Sequence, residues 1–227
     1  MKKSLTYCLV LLLFPIVAFS QPKRETKAGA LLSFELEKKL SQTFSLNFAE
    51  EVRFQTNNIG FDRNILSLGA DYSFWEKRFK AGAYYAFLYL YNNDYRFEMR
   101  NRFYANLSFK HSFTPINLSW RGRIQATLRD ENRGNYKVNP RYVLKNKVEI
   151  EYEIWGKPFK PYLSCDLSIN LNDPVTRYDP TRLRFQLGTT WRINRTDYLD
   201  FFLRYDEYLK NDDPRVFSIG VGYKMKL

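Results

Sequence analysis

Hydrophobic and polar residues alternate with a period of two along most of the chain after about residue 30. In the segment 117–129, NLSWRGRIQATLR, every second position is apolar or small, as at Ile124, Ala126 and Leu128, and the arginines fall between them. This period predicts β-strands with two unlike faces. About eleven such segments follow one another. Each is long enough to cross a membrane as a tilted strand, which takes about 9–11 residues. Strands of soluble proteins average about 5–6 residues.

The length of the strands therefore predicts an all-β fold, a single antiparallel transmembrane up-and-down β-barrel that occupies residues 21–227 as one domain. Bacterial barrels normally have an even number of strands. We therefore expect twelve strands, within a range of ten to twelve. Either residues 21–30 add a short strand, or one of the apparent segments is split or missed.

The connections predict which end of the barrel faces which compartment. Short turns are expected near residues 42, 77, 114, 157 and 195, and longer loops near 58, 94, 135, 176 and 212. In outer-membrane barrels the turns are periplasmic and the loops extracellular. Aromatic residues bunch beside both sets, and amphipathic rings favour the headgroup level. The predicted aromatic belt consists of Trp75, Trp155 and Trp191 near the turns, and Tyr91, Tyr142 and Tyr178 towards the loops.

Composition is consistent with a barrel and excludes a helical membrane protein. Aromatic residues make up 18% of the chain and charged residues 26%, and the mean hydropathy is −0.49. A membrane barrel has unremarkable hydropathy because each lipid-facing residue is followed by a lumen-facing one.

The first twenty residues predict a signal peptide. Lys2 and Lys3 precede an apolar run from Leu9 to Phe19, and Ala18 and Ser20 supply small residues before Gln21. The run is too short to span a bilayer as a helix, which needs about 20 residues. We expect export to the outer membrane of a Gram-negative cell. Loss of Lys2 and Lys3, with no acid lost, would lower the formal charge from +12 to +10.

A basic chain can bind nucleic acid, but here the basic residues are spread over many strands and do not form one patch. Together with the signal peptide, this argues against a nucleic-acid partner. The expected partners are outer-membrane lipids and lipopolysaccharide.

In a membrane barrel the polar face of each strand points inward, so the lumen is expected to be rich in arginine. The predicted lumen-facing set is Arg53, Arg100, Arg102, Arg121, Arg123, Arg129, Arg141, Lys145, Lys147, Glu149, Glu151, Arg182, Arg184, Arg192 and Arg204. In a narrow barrel, side chains from opposite walls nearly meet, so these charges are expected to form ionic networks. Two interpretations remain open: a structural barrel with a filled lumen, and a narrow anion-preferring pore.

The residues favour a non-enzymatic protein with no cofactor, no metal and no catalytic site. His111 is the one histidine, and its phase matches Phe109 and Phe113, which predicts an outward-facing position near a turn. Hydrolases of the Ser-His or Asp-His type need a histidine near the outer rim. Two alternatives stay open: an outer-membrane enzyme acting on envelope lipids, and a soluble periplasmic ligand-binding β-sandwich.

The segments FELEKKL at 34–40, FSLNF at 44–48 and EEVRF at 50–54 resemble the opening hairpin of the DUF2490 family. This resemblance implies an outer-membrane β-barrel and carries no catalytic residues with it. Gly220, Gly222, Met225 and Leu227 near the C-terminus resemble the terminal signal that barrel-assembly machinery reads. The resemblance implies that machinery as a partner during biogenesis.

Overall fold

The computed structural model of the protein describes residues 25–56, 60–92, 96–129, 138–174, 177–209 and 214–227. The predicted signal peptide, 1–20, and the predicted domain boundary at residue 21 lie outside these residues. Within the described part of the chain, no helix is long and apolar enough to cross a bilayer.

In the described residues, eleven strands form one closed sheet. They are β1 (Thr26–Lys39), β2 (Phe44–Gln55), β3 (Gly60–Phe74), β4 (Phe79–Asn92), β5 (Arg96–Phe113), β6 (Ile116–Arg129), β7 (Arg141–Tyr152), β8 (Phe159–Asn170), β9 (Pro180–Arg192), β10 (Asp197–Tyr208) and β11 (Arg215–Lys226). Each strand pairs with its two neighbours, so the described strands leave no open sheet edge. They build a single barrel and not the two packed sheets of a β-sandwich.

The closure of the barrel differs from the prediction. Consecutive strands are antiparallel, but β1 pairs with β11 in parallel, from Thr26 opposite Arg215 to Glu37 opposite Lys226. An odd number of up-and-down strands brings the first and last strands into the same direction, and parallel hydrogen bonding then closes the sheet. The preferred count of twelve is one too high, and eleven lies within the predicted range. Residues 26–30 belong to the start of β1 and form no separate strand.

The connections also differ in part from the expected alternation. The end of the barrel with connections at 40–43, 75–78, 114–115, 153–158 and 193–196 is called the turn end here, and the opposite end the loop end. At the loop end, the connections 130–140 and 171–179 are long, whereas 56–59, 93–95 and 209–214 are no longer than the longest turn, 153–158. The difference in length therefore holds for two of the five loop-end connections only. In the first half of the chain β3 and β5 are long, with 15 and 18 residues, and this leaves fewer residues for the connections.

The two faces of the sheet have opposite polarity. Large apolar side chains on the outside are exposed at the middle of their strands, as with Leu68 (60%), Leu187 (58%) and Ile219 (60%). The inward positions are mostly polar and buried. The exception is β4, whose sequence is apolar on both faces over most of its length. Its inward Ala86, Leu88 and Leu90 are buried and pack against Ile65 and Tyr104. These residues form a small apolar cluster on the lumen side of the sheet.

Candidate functional site

The lumen contains the polar and charged side chains that alternation directs inward. Its main cavity has a volume of about 490 Å³, and a second cavity of about 270 Å³ lies towards the turn end. Ten residues of the predicted lumen set line the main cavity: Arg53, Arg102, Arg121, Arg123, Lys145, Lys147, Glu149, Glu151, Arg184 and Arg204.

The other five predicted lumen residues lie nearer the ends or inside packed networks. Arg182 joins the ion pairs described next, Arg141 donates to Asn170 Oδ1 at 2.7 Å, and Arg100 pairs with Glu98 at 2.6 Å. Arg129 ends β6, and its backbone N–H donates to Asn139 Oδ1 at 3.0 Å. Arg192 is exposed where β9 ends, and its Nε donates to the carbonyl oxygen of Asn194 at 3.1 Å.

On one side of the lumen, cations and carboxylates alternate across the strands. We call Asp166, Arg182, Arg184 and Asp206 the paired wall. The register sets Arg184 of β9 directly between Asp166 of β8 and Asp206 of β10. The Arg184 guanidinium donates to both carboxylate oxygens of Asp206, at 2.6 and 3.1 Å. Arg182 lies 3.6 Å from Asp206 and 3.8 Å from Asp166, so the buried charges of this wall are matched.

A second matched network lies towards the turn end. Lys224 of β11 pairs with Glu35 of β1 at 3.0 Å and lies 3.8 Å from Glu37. Lys80 bridges Glu37 at 3.6 Å and Asp71 at 3.5 Å. Most of these pairs join neighbouring strands or neighbouring positions and run along the wall, which leaves the middle of the lumen open.

The adjoining part of the lumen, formed by β5, β6 and β7, has an excess of cations. We call Arg102 of β5, Arg121 and Arg123 of β6, and Lys145 of β7 the cationic wall. Here the register sets Arg123 directly opposite Lys145, and Arg121 opposite Lys147. Arg102 Nε donates to Thr127 Oγ1 at 3.0 Å, and Arg123 Nε to Asn106 Oδ1 at 2.7 Å. Both acceptors are neutral, so the positive charge of this wall is not compensated by them.

Two stacked tyrosines line the lumen beside the cationic wall. The rings of Tyr84 and Tyr104 stack with centroids 4.8 Å apart, and the Arg123 guanidinium lies 4.2 Å from the Tyr104 ring centroid. Tyr84 O–H donates to Asp71 Oδ1 at 2.7 Å. A Cβ at Gly69 would overlap the Tyr84 ring, so the glycine is what lets this ring lie flat against the wall.

Sequence reasoning missed several lumen residues that the networks use. β10 runs to Tyr208 and includes Asp206 on its inward face, two residues beyond Arg204 of the predicted lumen set. Continuing the alternation by one step would have found Asp206. Tyr84 was missed as a site residue because β4 is apolar on both faces, and there an inward aromatic residue looks the same as an outward one. Tyr104 lies on the polar face of β5 with Arg100 and Arg102, but an aromatic ring among cations gave no signal of a site.

Aromatic contacts concentrate towards both ends of the outer surface. At the turn end Phe79 stacks on Trp75 with centroids 5.4 Å apart, and Phe159 stacks on Trp191 at 5.6 Å. At the loop end Tyr89 stacks on Phe97 at 4.8 Å. The predicted belt residues occupy these two ends: Trp75, Trp155 and Trp191 at the turn end, with Trp155 99% exposed, and Tyr91, Tyr142 and Tyr178 at the loop end.

Glu50 interrupts the apolar outer face near the middle of β2. The register sets it between Phe34 and Leu66, both of which face outward, and Asn64 Nδ2 donates to Glu50 Oε1 at 3.0 Å. Alternation does not reveal this position, because Glu50 is a single polar residue in an apolar row that includes Phe48 and Val52. A carboxylate here is costly in contact with hydrocarbon, although less so than a cation. The Asn64 amide satisfies part of its hydrogen-bonding capacity.

Comparison with known proteins gives one family and several distant structural similarities, among them two autotransporter domains. The family model described as a protein of unknown function, DUF2490, matches residues 28–216. No curated protein shows significant sequence similarity to the chain. The β-domain of the Bordetella autotransporter BrkA is 10% identical with a TM-score of 0.44, covering 82% of this chain and 85% of that chain. The translocator domain of the autotransporter NalP from Neisseria meningitidis is 12% identical with a TM-score of 0.38, covering 74% of this chain and 70% of that chain.

Proposed function

This chain belongs to the DUF2490 family of proteins of unknown function, and we propose that it is an outer-membrane β-barrel protein with a non-enzymatic role. The observation that carries the proposal is the inverted polarity of the sheet. Exposed apolar side chains such as Leu68, Leu187 and Ile219 cover the outside, while buried polar residues such as Asp206 and Arg204 fill the inside. In water, exposing this much apolar surface is unfavourable; in hydrocarbon, it is favourable.

Two further features support a membrane location. All the strands have 12 to 18 residues, more than the about 9–11 needed to cross a bilayer with tilt. The aromatic contacts concentrate near the two strand ends, where membrane–water interfaces would lie. Lipids and lipopolysaccharide are then the expected neighbours of the outer face, and barrel-assembly machinery the expected partner during insertion.

Within this location we propose a structural barrel whose lumen is filled near the loop end. Leu88 is 0% exposed, Asn170 2% and Glu98 3%, and these inward residues pack the lumen on the loop-end side of the main cavity. A second candidate, a narrow anion-preferring pore, is favoured by the uncompensated cations of the cationic wall. The two differ in a conductance measurement in planar bilayers. Small anion-selective steps support the pore, and no steps support the structural barrel.

The position of His111 supports a non-enzymatic role over an enzyme acting on envelope lipids. His111 lies on the outer face of β5 between two phenylalanines, with its ring centroid 6.3 Å from Phe109 and 4.2 Å from Phe113. A general base must reach the proton it removes, within about 2.6–3.2 Å or through one water. His111→Ala should therefore leave any lipid turnover of the purified protein unchanged.

The membrane location is tested by placing a charge on the outer face. Leu187→Arg, at the middle of β9, should cost about 2–4 kcal/mol if Leu187 contacts hydrocarbon and should reduce the amount of inserted protein. Trp155→Arg, at an exposed turn position of the aromatic belt, is the matched control and should cost about 0–1 kcal/mol, as expected for a cation near the interface. Cell fractionation and gel migration with and without boiling give the readout. Leu187→Arg protein that is as stable as the wild type and soluble without detergent would refute the proposal.

A further inference from the structure

We propose that the cationic wall forms a binding site for a small, multiply charged oxyanion of the phosphate class. The site consists of Arg102, Arg121, Arg123 and Lys145 around the main cavity. The inference goes beyond the proposed outer-membrane role, because it depends on the geometry of the lumen and holds whether or not the barrel conducts ions.

The strand register sets pairs of cations directly opposite each other, an arrangement that destabilises the protein when no ligand is bound. Arg123 and Lys145 are directly opposite each other on β6 and β7, as are Arg121 and Lys147. Directly opposite Cβ atoms are about 4.5–5.5 Å apart, and like charges at such positions are destabilising. Lys147 is compensated by Glu149 at 2.6 Å. Arg123 and Lys145 face each other with no carboxylate of the described residues within ion-pair distance.

Asp166 attracts both Arg123 and Lys145, but it is shared with Arg182, which lies 3.8 Å away. Glu51, which also lines the cavity, accepts a hydrogen bond from Arg53 Nε at 2.6 Å. Arg102, Arg123 and Arg182 all repel Lys145 electrostatically. A bound anion would convert this repulsion into attraction to a shared partner.

The main cavity provides room for such an anion. Its volume of about 490 Å³ is many times the roughly 30 Å³ share of one water molecule. Arg204, which lines the same cavity and is 8% exposed, carries a buried Nη1 atom with no hydrogen-bond acceptor among the described residues, and its ion pair with Glu51 is long, at 3.9 Å. Guanidinium groups match the paired oxygens of phosphate in bidentate geometry, and an ammonium adds a point charge. Three arginines and a lysine therefore favour an acceptor with several charged oxygens.

The closed sheet determines how the anion would enter. All eleven strands pair with their neighbours, so a ligand reaches the lumen from an end of the barrel and not sideways from lipid. This favours a small soluble anion over a phospholipid headgroup.

Glu151 and Asp200 also line the cavity and hydrogen-bond with Asn117 and Tyr162. These two carboxylates limit the site to the side of the cavity nearest the cationic wall.

The test measures binding of inorganic phosphate to the full chain in detergent, by isothermal titration calorimetry and by the shift in unfolding temperature. Wild-type protein should bind phosphate and become more heat-stable, beyond the effect of chloride at equal ionic strength. The double variant Arg123→Gln/Lys145→Gln should lose affinity about tenfold or more, while being at least as stable as the wild type without phosphate, because the like-charge pair is gone. Arg184→Gln on the paired wall is the matched control, expected to be less stable yet still to bind phosphate.

A second variant covers the case in which the double variant does not fold. Asn106→Asp keeps the shape of the Arg123 acceptor but adds a competing carboxylate, and it should also weaken phosphate binding. Equal phosphate affinity in the wild type and in whichever of these variants folds would overturn the proposal, as would a chloride effect as large as that of phosphate. Phospholipid that co-purifies with the wild type but not with the variant would overturn the assignment to a soluble anion.

Discussion

The paired wall and the cationic wall lie in the same barrel, on the same inward face and in the same antiparallel geometry, yet they treat charge in opposite ways. In the paired wall, the register sets Arg184 between Asp166 and Asp206. In the cationic wall, the register sets Arg123 opposite Lys145. The contrast shows that alternation decides which side chains face inward, whereas register decides whether their charges are matched.

The contrast also separates two roles for buried charge. A matched pair holds neighbouring strands together, and removal of one partner leaves an uncompensated charge that is expensive to bury. An unmatched cluster weakens the empty barrel but attracts anions. The variants below test whether the two walls behave in these two ways.

The largest effect is expected for Asp206→Asn in the paired wall. Asp206 is 4% exposed and accepts hydrogen bonds from Arg184 while lying 3.6 Å from Arg182. Its neutralisation leaves two buried cations short of a partner, which should lower the free energy of unfolding by about 3–5 kcal/mol. Denaturant unfolding in detergent micelles, followed by tryptophan fluorescence, measures the loss.

Asp200→Asn is the control on the same strand and the same face. Asp200 accepts a hydrogen bond from Tyr162 O–H at 2.9 Å, and Asn can accept the same bond. Its neutralisation removes no ion pair of the described residues, so the loss should be about 1 kcal/mol or less. Equal losses in Asp200→Asn and Asp206→Asn would mean that the paired wall does not depend on charge matching.

A smaller effect, of opposite sign, is expected for Asn106→Asp, because Asn106 is the hydrogen-bond acceptor of Arg123 in the cationic wall. The new carboxylate replaces a neutral acceptor 2.7 Å from Arg123 Nε. Hydrogen bonds to charged groups contribute about 1.5–3 kcal/mol, against about 0.5–1.5 for neutral ones, so phosphate-free protein should gain roughly 1 kcal/mol. The same unfolding assay measures the gain. A loss of stability would indicate that the cations of this wall are already compensated.

The sequence was sufficient to predict the all-β class and the alternation of most strands, because a period of two in long segments is a local signal. The orientation of His111, in phase with Phe109 and Phe113, follows from the same signal and agrees with its outer position in β5. The location in the outer membrane and the absence of enzymatic activity remain predictions.

Other features depend on contacts between strands and could not be predicted from alternation. The parallel closure of β1 on β11 is a property of the strand count, and a general preference for even numbers pointed to twelve. The register of β6 on β7, which sets Arg123 against Lys145, cannot be obtained from either strand alone. Glu50 was passed over because one polar residue in an apolar row is a weak signal.

The smallest effect is expected at the exposed rim, where charge matching should matter least. Glu153 follows β7 at the turn end and pairs with Lys160 at 2.7 Å. The hydrogen bond from Lys160 and its positive charge hold the pKa of Glu153 below its ordinary value of 4.5. A lowered folded-state pKa contributes stability above the unfolded pKa, and this contribution is lost as pH falls through the folded-state pKa. Glu153→Gln should therefore differ slightly from the wild type at neutral pH, and the difference should shrink as pH falls below 4.5 and disappear below the folded-state pKa of Glu153. Unfolding midpoints across this pH range measure it. If Glu153→Gln lost as much stability at neutral pH as Asp206→Asn, ion pairing alone would account for the stabilisation. That result would contradict the view that a charged pair matters because it is buried.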